Sequence, residues 1–282
     1  MPPVIDVWNV QTFDHELLAV LGDHAQEIVG YFQTDHDIFL AYDNASGPNR
    51  PIMRPDNPYA PTYYGLLDTI GELMASRTIR TFHYTRLTDN EVADLLRLGI
   101  HLSTPATLRS RLDALVAAGA LAAGIADQLY EASPFNSDQR DARSDKFWMV
   151  SHPLATDDHG VTPLMQRWGG EVASFWVSEA TLTTPLDQLG KPRVLEIAVP
   201  LEATRHSHHA GKAVVATFGR ARGAIPEKSA FDLYAKVPLP ATAVLAVHTA
   251  GDGAFTAIGR SYPPGFIDVD IGRWKELTGE DD

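Results

Sequence analysis

Several groups of residues have the types and spacings that chemistry needs. His83 lies in Phe82-His83-Tyr84-Thr85-Arg86, at the end of a β-branched and aromatic run. Glu171 follows Trp168-Gly169-Gly170, and paired glycines let backbone and ligand come close together. Between the two lies Gly99-Ile100-His101-Leu102-Ser103. The densest histidine cluster is Arg205-His206-Ser207-His208-His209. On a strand His206 and His208 would share a face and could ligate a metal, but an exposed polar loop is the plainer reading. Asp157-Asp158-His159 has the same two readings. The other residues have structural uses as well. A histidine at a strand end can simply be hydrogen-bonded in place, and Trp168-Gly-Gly can be a packed turn. Ser103 can cap a helix together with Thr104, and the tryptophans can serve as core or surface anchors.

What is missing narrows the choice. No G-x-G-x-x-G opens a helix after a strand, and there is no Walker A sequence, no H-E-x-x-H and no G-x-S-x-G. The commonest dinucleotide, metalloprotease and α/β-hydrolase sites are therefore not expected.

The order and spacing of the His83, Ser103 and Glu171 segments resemble the ADP-ribosyltransferase superfamily, in its toxin-like branch with a histidine, a middle hydroxyl or tyrosine, and a late glutamate. The resemblance spans roughly residues 78 to 260. It implies an α+β fold, an ADP-ribosyltransferase-like split β-sandwich with helices from the N-terminal half packed on the sheets. It also implies a mono-ADP-ribosyltransferase with NAD as co-substrate and a protein or nucleic acid as acceptor, acting as a toxin or defence effector that an antitoxin or immunity protein could bind. By the same resemblance His83 would hold a ribose hydroxyl of NAD, and the backbone of Tyr84 would grip the nicotinamide carboxamide, although many relatives have glycine there. Thr85, Ser103 and Gly170 join the nucleotide-binding set, and no tyrosine matches the middle position. Trp148, Trp168 or Tyr84 would stack on nicotinamide. Glu171 would bind the nicotinamide ribose and oppose the oxocarbenium-like charge that forms when the glycosidic bond breaks. Asp157, Asp158, His159 and Arg167, in the loop before the glutamate, would face the acceptor. Water as acceptor would make the chain a NAD glycohydrolase, and loss of turnover would leave a binding module of the same fold.

Positioning these residues falls to a series of local elements. Thr12 or Asp14 can cap a helix running toward Tyr31, and Ile38–Tyr42 suits a short strand. Residues 43 to 61 carry prolines at 48, 51, 55, 58 and 61, which mark either a long loop or a boundary between an accessory region, 1–62, and a catalytic domain, 63–282. Tyr63 to Ser76 follows the helical period, and Thr78 to Tyr84 reads as a strand. Thr88-Asp-Asn-Glu91 is a capping box, Gly99 a helix stop, and Thr104-Pro105 a cap followed by an N1 proline. A short strand over Ile100–Ser103 and a helix over Leu121–Ala132 are expected. Phe147–Ser151 and Glu171–Val177 read as strands. Past Arg193 the segments VLEIAVP, AVVATF, AFDLYAKV, AVLAVH and AFTAIG all read as strands between turns. Helices early and strands late argue for α+β with a mostly antiparallel sheet.

The bulk composition agrees with a folded chain. Of 282 residues 44% are hydrophobic and 21% charged. The formal charge of −13 does not favour non-specific nucleic-acid binding, though the stretch from 193 to 228 is locally basic through Arg193, Arg205, Lys212, Arg220, Arg222 and Lys228. Cysteine is absent, which removes disulfides, thiolate nucleophiles and cysteine metal sites. The N-terminus lacks a basic region followed by an apolar one, and the nearly apolar stretch Leu112–Tyr130 is interrupted by Asp113 and Asp127. A cytoplasmic protein without a membrane span is expected.

Overall fold

A computed structural model describes residues 3–43, 52–175, 177–226 and 230–260. The prolines at 48 and 51, Lys228 and the acidic tail lie outside the described residues. In chain order the strands are β1 (Val4–Ile5), β2 (Thr78–Leu87), β3 (Phe147–Val150), β4 (Lys191–Pro200), β5 (Asp232–Ala235) and β6 (Val244–Thr249). The helices are α1 (His15–Asp23), α2 (Ala25–Ile38), α3 (Ala60–Ala75), α4 (Asp89–Leu98), α5 (Pro105–Ala117), α6 (Ala123–Glu131), α7 (Arg140–Arg143), α8 (Thr162–Gln166), α9 (Ala180–Asp187), α10 (Ser207–Ala221) and α11 (Gly253–Ala257). The strands form one sheet of order β5-β3-β2-β4-β6, with β1 beside β2. Pairs β2–β3, β3–β5 and β4–β6 are antiparallel, while β1 runs parallel to the start of β2. The class is α+β.

The described residues fall into two compact units: those up to 79 together with those in 200–231 form one, and those in 80–199 and 232–260 the other. This differs from the expected division at residue 62. The reason lies in the first unit, where α3 finds its packing partner in α10, far downstream. Gly71 and Gly211 make that approach possible: a Cβ at Gly211 would sit 2.9 Å from the Gly71 backbone nitrogen. Every residue of α10 from Ala213 to Gly219 is buried. That explains why AVVATF forms helix where a strand was expected. A wholly buried apolar run has no visible period, so only length and partner decide. Ile38–Tyr42 also differs from the expected strand, because α2 runs on into a π-helical turn at Phe39–Asp43. Here a helix already nucleated outweighs the local β preference of the residues. The Asp14 cap is present, its side chain accepting from the Leu17 amide at 2.9 Å. Tyr31 stacks on Tyr63 with ring centroids 3.6 Å apart.

In the second unit the two expected capping boxes form, Thr88 with Glu91 and Thr104 with Thr107. Helices α5, α6 and α9 share an apolar core of Leu108, Leu112, Leu129, Leu182 and Leu186 around Trp168. The stretch 112–130 is therefore the end of α5, a turn and most of α6, and among the described residues no helix is long and apolar enough to cross a membrane. Ile100 and Ser103 make only isolated bridges, to Leu239 and Lys146. The described residues of the expected strand Glu171–Val177, all but Trp176, do not form one. Gly169 and Gly170 take φ of +86° and +49°, which turns the chain into a 3-10 turn over Gly170–Val172. AFTAIG contains the short helix α11 where a strand was expected, begun after Asp252.

The glycine contact in the first unit is open to test. Gly211→Val should lower stability by about 2 kcal/mol, because α3 must move or the side chain must leave its rotamer. Gly22→Ala, where nothing lies within 4 Å, should be neutral or slightly stabilising. Urea unfolding midpoints of the two variants read the contrast.

Candidate active site

His83 is set by the alternation of β2. Phe82 and Tyr84 project from one face of the strand and Thr81, His83 and Thr85 from the other. Phe82 stands opposite Val150, which puts Trp148 opposite Tyr84 and on the same face as Tyr84. His83 reaches along the sheet, and its Nδ1–H donates to the Trp148 carbonyl at 2.8 Å. The Phe147 ring lies 4.5 Å from the imidazole. Burial is the main cause that lowers the His83 pKa to about 4; the Trp148 carbonyl opposes it and the nearby Arg111 guanidinium adds to it. At neutral pH the ring is uncharged, with its proton on Nδ1 and a lone pair on Nε2.

Arg111, on α5, is itself held by a partly buried carboxylate. Glu91 Oε1 accepts from Arg111 Nε at 2.8 Å, and Glu91 Oε2 accepts from Trp168 Nε1 at 2.9 Å. The same Oε2 takes the Thr88 amide at 2.8 Å and the Thr88 hydroxyl at 3.0 Å. Burial works to raise the Glu91 pKa, but Arg111, the Thr88 amide and the Trp168 indole outweigh it, so the carboxyl is held below its ordinary value. The Arg111 guanidinium also lies 4.6 Å from the Trp168 ring centroid. Sequence inspection gives Glu91 a capping role and passes over Arg111. Their partners lie 20 and 77 residues away, beyond any local pattern.

Glu171 stands in the 3-10 turn after the two glycines and pairs with Arg143 of α7 at 3.0 Å. That short helix is tied to β3, because Trp148 Nε1 donates to the Ala142 carbonyl at 3.1 Å. One contact chain thus connects His83 with Glu171, through Trp148, α7 and Arg143. Arg111, whose charge acts on His83, stacks on Trp168, which precedes the Gly169-Gly170 turn.

The remaining candidates divide. Thr85 is buried on the His83 face of the strand. The Tyr84 side chain is on the other face, where its hydroxyl donates to the Leu154 carbonyl at 2.7 Å, and burial pushes its pKa up. Trp148 likewise faces away from His83 and lies 4.7 Å from the Tyr234 ring. Trp168 has 0% exposure, so it has no ring face to offer a ligand. Of the three rings expected to stack on nicotinamide, full burial thus removes Trp168, while Tyr84 and Trp148 lie on the face of the sheet opposite His83. Ser103 is fixed by its backbone, donating to the Lys146 carbonyl at 3.0 Å, while Thr104 provides the helix cap. Gly170 is buried, and a Cβ there would come within 3.3 Å of the Leu164 carbonyl. In the loop before the glutamate, Asp157 pairs with Arg260 at 2.6 Å and Arg167 with Asp187 at 2.8 Å. Asp158 accepts from the Gly160 amide at 2.7 Å, and His159 is exposed. His206, His208 and His209 begin α10 and are not on a strand. Among the described residues no group of three histidines or acids could hold a metal ion.

No family model, no curated protein and no solved structure matches the chain.

Two measurements probe this site. Because the folded His83 pKa lies below the unfolded value, the unfolded chain takes up the proton first as pH falls. Its contribution to stability is therefore complete above about pH 6.5 and declines toward pH 4, by up to about 3 kcal/mol. His83→Asn should lack this component in urea titrations run at several pH values. Glu91→Leu should cost about 2 kcal/mol, because it leaves the partly buried Arg111 charge and the buried Trp168 N–H without their acceptor; thermal or urea unfolding at pH 7 measures it.

Proposed function

We propose that this chain is an NAD-consuming mono-ADP-ribosyltransferase, with His83 binding a ribose hydroxyl and Glu171 opposing the charge that develops on the nicotinamide ribose. One observation carries the proposal: an imidazole kept neutral, with Nδ1 fixed and Nε2 left to accept, is joined through Trp148, α7 and Arg143 to a carboxylate beside a glycine turn. A neutral Nε2 accepts a hydrogen bond from a hydroxyl without adding charge near a cation in formation. The Tyr84 and Thr85 backbone of β2 would run along the nucleotide, as the resemblance to the ADP-ribosyltransferase fold implies. The bond between nicotinamide and ribose breaks with its electron pair leaving on nicotinamide. The acceptor then attacks the anomeric carbon and gives up its proton to solvent. A carboxylate fixed where that cation appears stabilises it before any solvent must reorganise. Protein or nucleic acid would be the acceptor, and a toxin or defence role would follow from the resemblance noted in the sequence.

The Arg143–Glu171 ion pair favours a second reading. A carboxylate already matched by a guanidinium suits a module that binds a nucleotide without cleaving it.

Radiolabelled NAD separates these outcomes. Released nicotinamide with label on a macromolecule supports the transferase, and release with free ADP-ribose alone supports a glycohydrolase using the same site. Binding without release supports the binding module, and neither binding nor release overturns both readings. In the enzymatic cases Glu171→Ala and His83→Ala should each lower nicotinamide release by about 10²–10³-fold while remaining folded by circular dichroism.

A further inference from the structure

Arg111 has hydrogen-bonding capacity that the fold does not use. Its Nε is committed to Glu91, and the Trp168 ring lies 4.6 Å from the guanidinium, which fixes the plane and direction of the fork. Its Nη2 is buried and has no acceptor, although the side chain as a whole remains 30% exposed. Buried donors in native proteins are nearly always paired, and one left unpaired is unfavourable until something reaches it. Glu91 does not absorb the whole positive charge. Its carboxylate is also engaged by the Thr88 amide, the Thr88 hydroxyl and the Trp168 indole, and it sits in the first turn of α4, where the backbone dipole stabilises an anion. His83 presents a complementary opening, because its Nε2 has no partner among the described residues.

A rigid guanidinium with one occupied edge and one unoccupied edge matches the oxygens of a phosphate, which accept two parallel N–H bonds. We propose that Arg111 forms a subsite for a phosphate group, filled by the diphosphate of a dinucleotide whose sugar hydroxyl reaches His83. Arg111 then discriminates a phosphorylated nucleotide from a bare nucleoside. The preference for phosphate follows from Arg111 itself; only the identification of the dinucleotide rests on the functional reading above.

The test is calorimetric titration of the full chain with inorganic pyrophosphate, ADP-ribose and adenosine. The wild type should bind pyrophosphate and ADP-ribose. Arg111→Lys, which keeps the charge but loses the fork, should weaken both by about tenfold. Removing Arg111 alone endangers folding, so the double variant Glu91→Gln with Arg111→Gln provides a neutral pair at the same place. It should lose pyrophosphate binding while keeping its circular dichroism spectrum. Adenosine binding should be the same in all three proteins. Pyrophosphate binding equal to wild type in both variants, or none in the wild type at millimolar concentration, would overturn the subsite. The two proposals fail separately. If wild type binds pyrophosphate through Arg111 but releases no nicotinamide from NAD, the enzymatic reading falls and the subsite stands. If nicotinamide is released with an unchanged KM in Arg111→Lys, the subsite falls and the enzymatic reading stands.

Discussion

Glu91 ties three separate pieces of chain to one carboxylate. It closes the first turn of α4 through Thr88, holds α5 through Arg111, and pins the indole of Trp168. A buried carboxylate is costly unless its lone pairs are taken up, and here four donors take them up. The consequence extends past the ion pair. Trp168 immediately precedes the two glycines that turn the chain toward Glu171, so the place of the proposed catalytic carboxylate depends on an indole hydrogen bond to a residue 77 positions earlier in the sequence.

On the other side of Arg111, His83 shows how a sheet sets a protonation state without a carboxylate partner. Burial against Phe147 disfavours the cation, and the Trp148 carbonyl fixes which nitrogen bears the proton. Arg111 adds a like charge and keeps the ring neutral. The imidazole can therefore accept but not donate at its open nitrogen. That is a narrower chemical role than a solvent-exposed histidine has, since such a residue titrates near neutrality.

Legibility in the sequence followed the range of the interactions. The caps at Asp14, Thr88 and Thr104, the helix over Tyr63–Ser76 and the strand at Thr78 rest on contacts a few residues apart, and these patterns are visible in the chain. The α10 segment was not, because AVVATF is buried all round and only its partner α3 makes it a helix. Glu171–Val177 has strand-like residue types, but two positive-φ glycines turn the chain away. At the site, the types of His83 and Glu171 attract attention on their own. The sides on which Tyr84, Trp148 and Trp168 point depend on register and packing. Arg111 and Arg143 gain meaning only from partners 20 and 28 residues away.

The interleaved order of the first unit has a consequence for how the chain is made. Helix α3 leaves the ribosome long before α10, with some 130 intervening residues, roughly ten seconds or more of synthesis, in between. Throughout that interval Leu66, Leu67, Ile70 and Met74 lack the helix that will cover them. A nascent chain with such a stripe uncovered is a natural client for a holding chaperone. The second unit, most of whose residues lie in 80–199, can begin to condense while the first unit is still waiting, although its sheet is completed only when β5 and β6 arrive.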